Sequence, residues 1–185
     1  MSITRRERVS IQSKILRLFW NVNYILLFRP FISPIFRKWR LLILKIWGAK
    51  VTWSSSVYAS VKIWAPWNLY LAENSGIGPH CIIYNQDKIV LGPNSKISQF
   101  CYLCTAGHDI EELNNSKSGL LTGPIIIEEN VWIGTNSFIN MNIIISKGAI
   151  VAASSNVVKN VPSWTIVGGN PAKFIKTRKL KQSDE

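Results

Sequence analysis

The sequence predicts a mainly β protein: a parallel β-helix with a helical segment before it and a basic tail after it. Aliphatic residues recur every six positions at Ile127, Ile133, Ile139, Ile145, Val151 and Val157 without a miss. The same register returns upstream in three trios, Val51/Val57/Ile63, Leu71/Ile77/Ile83 and Leu91/Ile97/Leu103, each starting twenty residues after the last. A helix repeats every ~3.6 residues and a simple hairpin meander has its own alternation, so neither gives this spacing. A fixed short period marks a solenoid, and hexads mark a parallel β-helix.

Five coils follow: 51–70, 71–90, 91–126 with an excursion, 127–144 and 145–162. Each has three short strands and three corners, with one aliphatic side chain per strand stacked inward. Small or β-branched residues stand four positions on, at Val131, Ser137, Ile143, Ala149, Ser155 and Val161, where the chain must turn tightly. Cys81 and Cys101 occupy that position twenty residues apart and should stack in successive coils. At about 4.7 Å per layer the column is roughly 24 Å tall, and strand edges at both ends need cover. The register breaks between His108 and Gly123, where sixteen polar and Gly-containing residues protrude. Such loops on regular scaffolds carry function.

The segment before the column predicts two helices. Ile11, Ile15, Leu18, Val22 and Ile25 share one helical face, and Pro30 ends the run. For the second, Ser33 suits the N-cap, Pro34 the first position and Gly48 the end. Its stripe is Ile35, Trp39, Leu42 and Ile46, widened by Phe36, Ile43 and Trp47, with Arg29, Arg37, Lys38, Arg40 and Lys45 on the remainder. Two readings stand: a helical pair packed on the column, or interfacial helices on anionic lipid. The longest apolar run, Leu18 to Phe28, is about half the ~20 residues that a spanning helix requires.

The formal charge of +12 is uneven: +10 in residues 1–50, −2 in 51–158 and +4 in 159–185. No zinc-finger spacing, RNP-like segment or helix-turn-helix signal accompanies the basic ends, so nucleic acid is not the expected partner. Three cysteines do not make a secreted disulfide framework, and no signal peptide is evident. These features predict a cytoplasmic protein, with residues 1–50 a peripheral contact at the inner face of an anionic membrane in the second reading. Three regions result: 1–50 helical, 51–166 the β-helix with its loop at 108–123, and 167–185 the basic tail.

The segments WRLLILKIWGAKV (39–51), VKIWAPWNL (61–69), ISQFCYLCTAGHD (97–109), VWIG (131–134) and VGGNPAKFI (167–175) run along nearly the whole chain. They resemble the left-handed β-helix, hexapeptide-repeat acyltransferases, and most of all the colanic acid acetyltransferase group of sugar O-acetyltransferases. The resemblance implies the left hand of the coil, which the usual right-handed crossover would not suggest. It also implies a homotrimer, acetyl-CoA as donor and a saccharide hydroxyl as acceptor in exopolysaccharide, capsule or cell-surface glycan synthesis.

The resemblance makes His108 the catalytic base. Acyl transfer to a hydroxyl requires a group titrating near neutrality to take its proton, and the only other histidine, His80, follows Gly78-Pro79 at a turn. Asp109, Glu111, Glu112 or a backbone carbonyl could orient His108. Asn85, about one coil earlier, and more weakly Asp87, are implied to bind the acceptor. Trp132, Thr135 and Ala153 are implied to flank the coenzyme, and Lys159, Lys173, Lys176 and Arg178 to meet its phosphates, for which clustered cations are suited. Val158-Lys159-Asn160 departs from the Thr-Lys-Asp common in related sequences and removes a hydroxyl.

No metal is expected. Cys101-x-x-Cys104 has no second pair to complete a zinc site, and two histidines cannot supply the three of a γ-type carbonic anhydrase on the same coil. The alternatives kept open are a non-catalytic scaffold and an acyltransferase using another acyl donor or an amino-sugar acceptor.

Overall fold

The computed structural model describes residues 4–6, 10–108 and 119–179. Its body is a three-faced parallel β-solenoid of about five turns. The first face stacks Lys50–Val51, Leu69–Leu71, Ile89–Leu91, Ile125–Ile127 and Ile143–Ile145. The second stacks Ser56–Val57, Gly76–Ile77, Lys96–Ile97, Trp132–Ile133, Ile150–Val151 and Thr165–Gly168. The third stacks Lys62–Ile63, Ile82–Tyr84, Tyr102–Cys104, Phe138–Ile139 and Asn156–Val157.

The hexad residues are the core. All fifteen named inward aliphatics are at most 5% exposed, and the small corner residues from Val131 to Val161 are at most 4% exposed. Cys81 and Cys101 stack at the corner between the second and third faces, both free thiols and wholly buried. Cys104 lies half-buried on the third face with its thiol directed to Ala106 O, so the CxxC pair is divided between interior and surface. His80 stacks on Phe100 at the same corner, with ring centroids 5.0 Å apart.

Side chains from the helices cap the column's first strand edge. Helix α1 is Ile11–Asn23 and α2 is Arg37–Ile46. Trp20 Nε1 donates to Ile63 O at 2.7 Å, Arg40 Nε to Val57 O at 2.9 Å, and Arg37 to Trp53 O and Ser55 O, both at 2.7 Å. These carbonyls belong to the first coil, which has no preceding layer to supply donors. Arg40 is 4% exposed and also donates to Phe31 O and Ser33 O. Arg37 and Arg40 are therefore structural donors, a correction to their expected place on the solvent side.

The helices turn their other side to the column. The stripe Ile11, Ile15, Leu18, Val22 and Ile25 is exposed, while Trp20 and Phe28 are fully buried. Ile35, just before α2, and Leu42 and Ile46 within it are exposed, while Arg40, Leu41, Ile43 and Leu44 are buried. The side facing the column is chosen by indole and guanidinium donors that the strand edge requires. Boundaries also shift: α1 passes into a π-helical turn at Tyr24–Phe28, and Pro34–Phe36 is a 3-10 turn that Ser33 does not cap with its side chain. Ser10 caps α1, accepting from Ser13 N at 3.2 Å.

At the other end, Thr165–Gly168 continues the second face beyond residue 166, held by Ala152 N to Val167 O at 2.8 Å. Lys173–Thr177 returns antiparallel along it. The tail thus begins as a strand pair.

Candidate active site

His108 ends the strand Ala106–His108, which leaves the corner between the third and first faces and pairs antiparallel with Leu120–Thr122. Thr4–Arg6 adds a third strand beyond it. The excursion is therefore a sheeted hairpin at its base, and His108, paired with Leu120, is exposed. Asp109, Glu111 and Glu112, the acids considered for orienting it, lie outside the described residues.

The base of the hairpin is locked by Thr105, which is fully buried. Its hydroxyl donates to Tyr84 O at 3.0 Å and accepts from Asp87 N at 2.9 Å, while its carbonyl accepts from Gly123 N at 3.0 Å. Gly123 is required there: a Cβ would stand 2.8 Å from the Asn142 Cβ in the next layer. Thr105 has no place in the hexad register or among the residue types that do acid–base chemistry, so sequence reasoning passes over it.

Asn85, expected beside the acceptor, is fully buried. Its Oδ1 accepts from Ala65 N at 2.9 Å and its Nδ2 donates to Ala65 O at 2.6 Å, so both ends of the amide hold the preceding coil. Asn68 Nδ2 adds bonds to Asn85 O and Gln86 O at 3.1 and 3.0 Å. Asp87 is half-exposed and lines a hollow of about 330 Å³ with Ser13, Trp67, Asn68, Gln86 and Lys88. Trp67 and Asn68 belong to the APWNL segment, whose composition, an aromatic beside an amide, was the available signal for this hollow.

The coenzyme candidates occupy another corner. Trp132 is 52% exposed, its Nε1 fixed to Ser98 Oγ at 2.9 Å, and Thr135 Oγ1 donates to Gln99 O at 2.9 Å. Ala153 is exposed directly beneath: a Cβ on Gly134 would lie 2.6 Å from Ala153 N, so glycine lets the two corners stack. Lys173 and Lys176 are exposed on the returning strand, and Lys159 is exposed after the third face. Arg178 is partly committed, donating to Asn130 O at 2.9 Å and Gly148 O at 2.8 Å. Within one chain, then, Trp132, Thr135 and Ala153 stand at or before one edge of the third face and His108 beyond the other. Among the described residues, no three His, Cys, Asp or Glu side chains converge as a metal site would require.

The three-faced hexad column is the fold of the hexapeptide-repeat acetyltransferases. The chain is 35% identical over 141 residues to the putative colanic acid biosynthesis acetyltransferase WcaF of Escherichia coli K12, covering 76% of each chain. It belongs to that acetyltransferase family. No protein-family model matches the chain. Among solved structures, a maltose O-acetyltransferase from Clostridium difficile 630 superposes with a TM-score of 0.82 at 26% identity, over 92% of this chain and 90% of that one. A hexapeptide-repeat acetyltransferase from Vibrio cholerae shares the fold, with a TM-score of 0.81 at 23% identity over 92% and 95% of the two chains. That Vibrio protein has also been solved with acetyl coenzyme A; in that form the TM-score is 0.74 at 22% identity, over 92% and 91% of the two chains.

Proposed function

We propose that the protein transfers acetyl from acetyl-CoA to a saccharide hydroxyl, with His108 as general base. The observation that carries this is that His108 is exposed at the end of a strand pair whose base is locked by the buried hydrogen bonds of Thr105. An imidazole nitrogen takes the hydroxyl proton as the acceptor oxygen attacks the thioester carbonyl. The tetrahedral intermediate then expels the coenzyme thiolate, which recovers that proton from the imidazolium. Backbone N–H groups are suited to hold the transient oxyanion.

The acceptor sits against Trp67 and Asp87, whose ring and carboxylate suit the face and hydroxyls of a sugar. Asn85 supports this floor from within. Trp132, Thr135 and Ala153 flank the pantetheine arm, and Lys159, Lys173 and Lys176 meet the phosphates. Arg178 fixes the strand that presents Lys173 and Lys176. The coenzyme carried by the Vibrio relative and the names of the relatives support this reading.

The family resemblance implies a homotrimer, and since His108 and the Trp132 corner lie on opposite sides of the third face, in such an assembly His108 of one copy would meet the coenzyme corner of the next. The same reading puts the enzyme at the inner membrane surface, where surface-glycan intermediates are built.

Thiol release from acetyl-CoA with a panel of saccharides tests the proposal, comparing wild type with His108→Ala. Loss of about 10²–10⁴ in turnover is expected; turnover unchanged by the substitution removes His108 from the reaction. Co-expressing His108→Ala with Trp132→Ala tests the shared site. Mixed trimers should regain activity that neither variant has alone, whereas no recovery overturns a site built from two copies.

A further inference from the structure

Along α1 the apolar stripe is turned away from the protein. Ile11, Ile15, Leu18, Val22 and Ile25 are 74, 50, 63, 48 and 59% exposed, on the side of the helix opposite the buried Trp20. Phe19 and Leu26 widen it at 57 and 62%. Ile35, in the 3-10 turn before α2, and Ile46, at the end of α2, are 79 and 69% exposed. The two helices meet where Trp39 Nε1 donates to Leu27 O at 2.8 Å. Soluble proteins seldom expose contiguous apolar surface of this extent without a partner for it.

Charge identifies the partner. From Arg8 to Ala72 the sequence contains no Asp or Glu. Once Arg37 and Arg40 are assigned to the strand edge, Lys14, Arg29 and Lys38 remain exposed, with no carboxylate partner among the described residues. Lys38 also lines a shallow cavity of about 520 Å³ with Trp39, Leu42 and Trp53. Lysine beside tryptophan, next to aliphatic surface, matches the boundary between lipid headgroups and acyl chains. A second copy of the same surface would oppose cations to cations. Even with its π-helical continuation to Phe28, α1 falls short of the ~20 residues that a bilayer span needs, and no helix of the described residues is long and apolar enough to cross one. An amphipathic helix with these properties lies in the interface plane.

We propose that the outward face of α1 and α2 docks on an anionic phospholipid bilayer, the stripe from Ile11 to Ile25 entering the headgroup layer and Lys14, Arg29 and Lys38 meeting lipid phosphates. This deepens the membrane location proposed above and does not rest on acetyl transfer.

The test is flotation of the full chain with vesicles of phosphatidylcholine alone or mixed with phosphatidylglycerol, with turnover on a soluble acceptor measured in parallel. Wild type should float with the mixed vesicles at low salt and be released as salt rises. Phe19→Ser with Leu26→Ser should weaken binding at least about tenfold, and Lys38→Gln about fivefold. Substituting exposed positions leaves the fold intact, which unchanged circular dichroism would verify. A wild type that stays soluble with mixed vesicles at low salt overturns the proposal. So does an apolar variant that floats like wild type, or one whose main effect is to dissociate an oligomer, which would make this face a contact between copies. Turnover on the soluble acceptor should be unchanged in these variants. Its absence from wild type would count against the acetyl-transfer reading and leave the docking result standing.

Discussion

Asn85 and Ala65, one coil apart, are joined at both ends of a single amide, with Ala65 N–H donating to Asn85 Oδ1 at 2.9 Å and Asn85 Nδ2 donating to Ala65 O at 2.6 Å. The corner between the third and first faces is where the strand ladder gives way to irregular backbone. A buried polar side chain there replaces the interstrand bonds that the turn forgoes.

Asn85→Ala leaves the Ala65 N–H and carbonyl without these partners in the interior. A loss of about 2–4 kcal/mol is expected in urea unfolding. Asn85→Asp keeps the acceptor but sets an oxygen against Ala65 O, and should also destabilise. If Asn85 contacted only substrate, both variants would unfold like wild type and differ only in turnover.

Arg40 presents a related case at the end of the column, because its guanidinium serves Val57, Phe31 and Ser33 carbonyls while 4% exposed. Burial draws its pKa below the ordinary guanidinium value, with Tyr58 opposing that shift and Arg37 adding to it. Arg40→Met should cost about 3 kcal/mol, since the aliphatic volume is retained while buried acceptors lose a charged donor. Lys38→Met, on the exposed side of the same helix, should stay within about 0.5 kcal/mol of wild type in the same melt.

The hexads made the column legible because a side chain's position in a six-residue repeat determines whether it points inward, and the inward residues from Val51 to Val157 are buried accordingly. The helices were legible as amphipathic but not in their orientation. Periodicity identifies an apolar face without saying whether protein or another medium covers it, and the inward face was set by Trp20 and Arg40 satisfying strand-edge carbonyls. At the site, residue type and motif nominate His108 as the candidate base. Spacing could not show that the Asn85 amide is consumed internally or that Thr105 fixes the hairpin, because both depend on which backbone groups the corners leave unpaired.

The stacked corner at Gly134 offers a test of the proposed coenzyme groove. A methyl group there would lie 2.6 Å from Ala153 N and 2.8 Å from Val151 O, both backbone atoms that cannot step aside as a flexible side chain would. Gly134→Ala should therefore part the Thr135 and Ala153 corners, costing about 1–3 kcal/mol in stability. It should also raise KM for acetyl-CoA more than KM for the acceptor, which lies at a different corner. Equal changes in both constants would mean that Gly134 acts through the fold as a whole.

Thr105 provides a positioning test that leaves the base itself intact. Its hydroxyl donates to Tyr84 O and accepts from Asp87 N, tying the His108 hairpin to the coil that carries Asp87. Thr105→Val preserves the shape but leaves Asp87 N without that acceptor, a loss of about 1–3 kcal/mol for a buried donor. His108 is then held less firmly relative to the acceptor floor, and a misplacement of about 1 Å can cost on the order of 10²-fold in rate. Turnover should therefore fall by more than the change in folded fraction allows, with KM for acetyl-CoA little altered. Thr105→Ser keeps the hydroxyl and should restore most of that rate. If valine and serine behave alike at saturating substrate, the threonine contributes packing alone and the hairpin is positioned by its strand pairing with Leu120–Thr122.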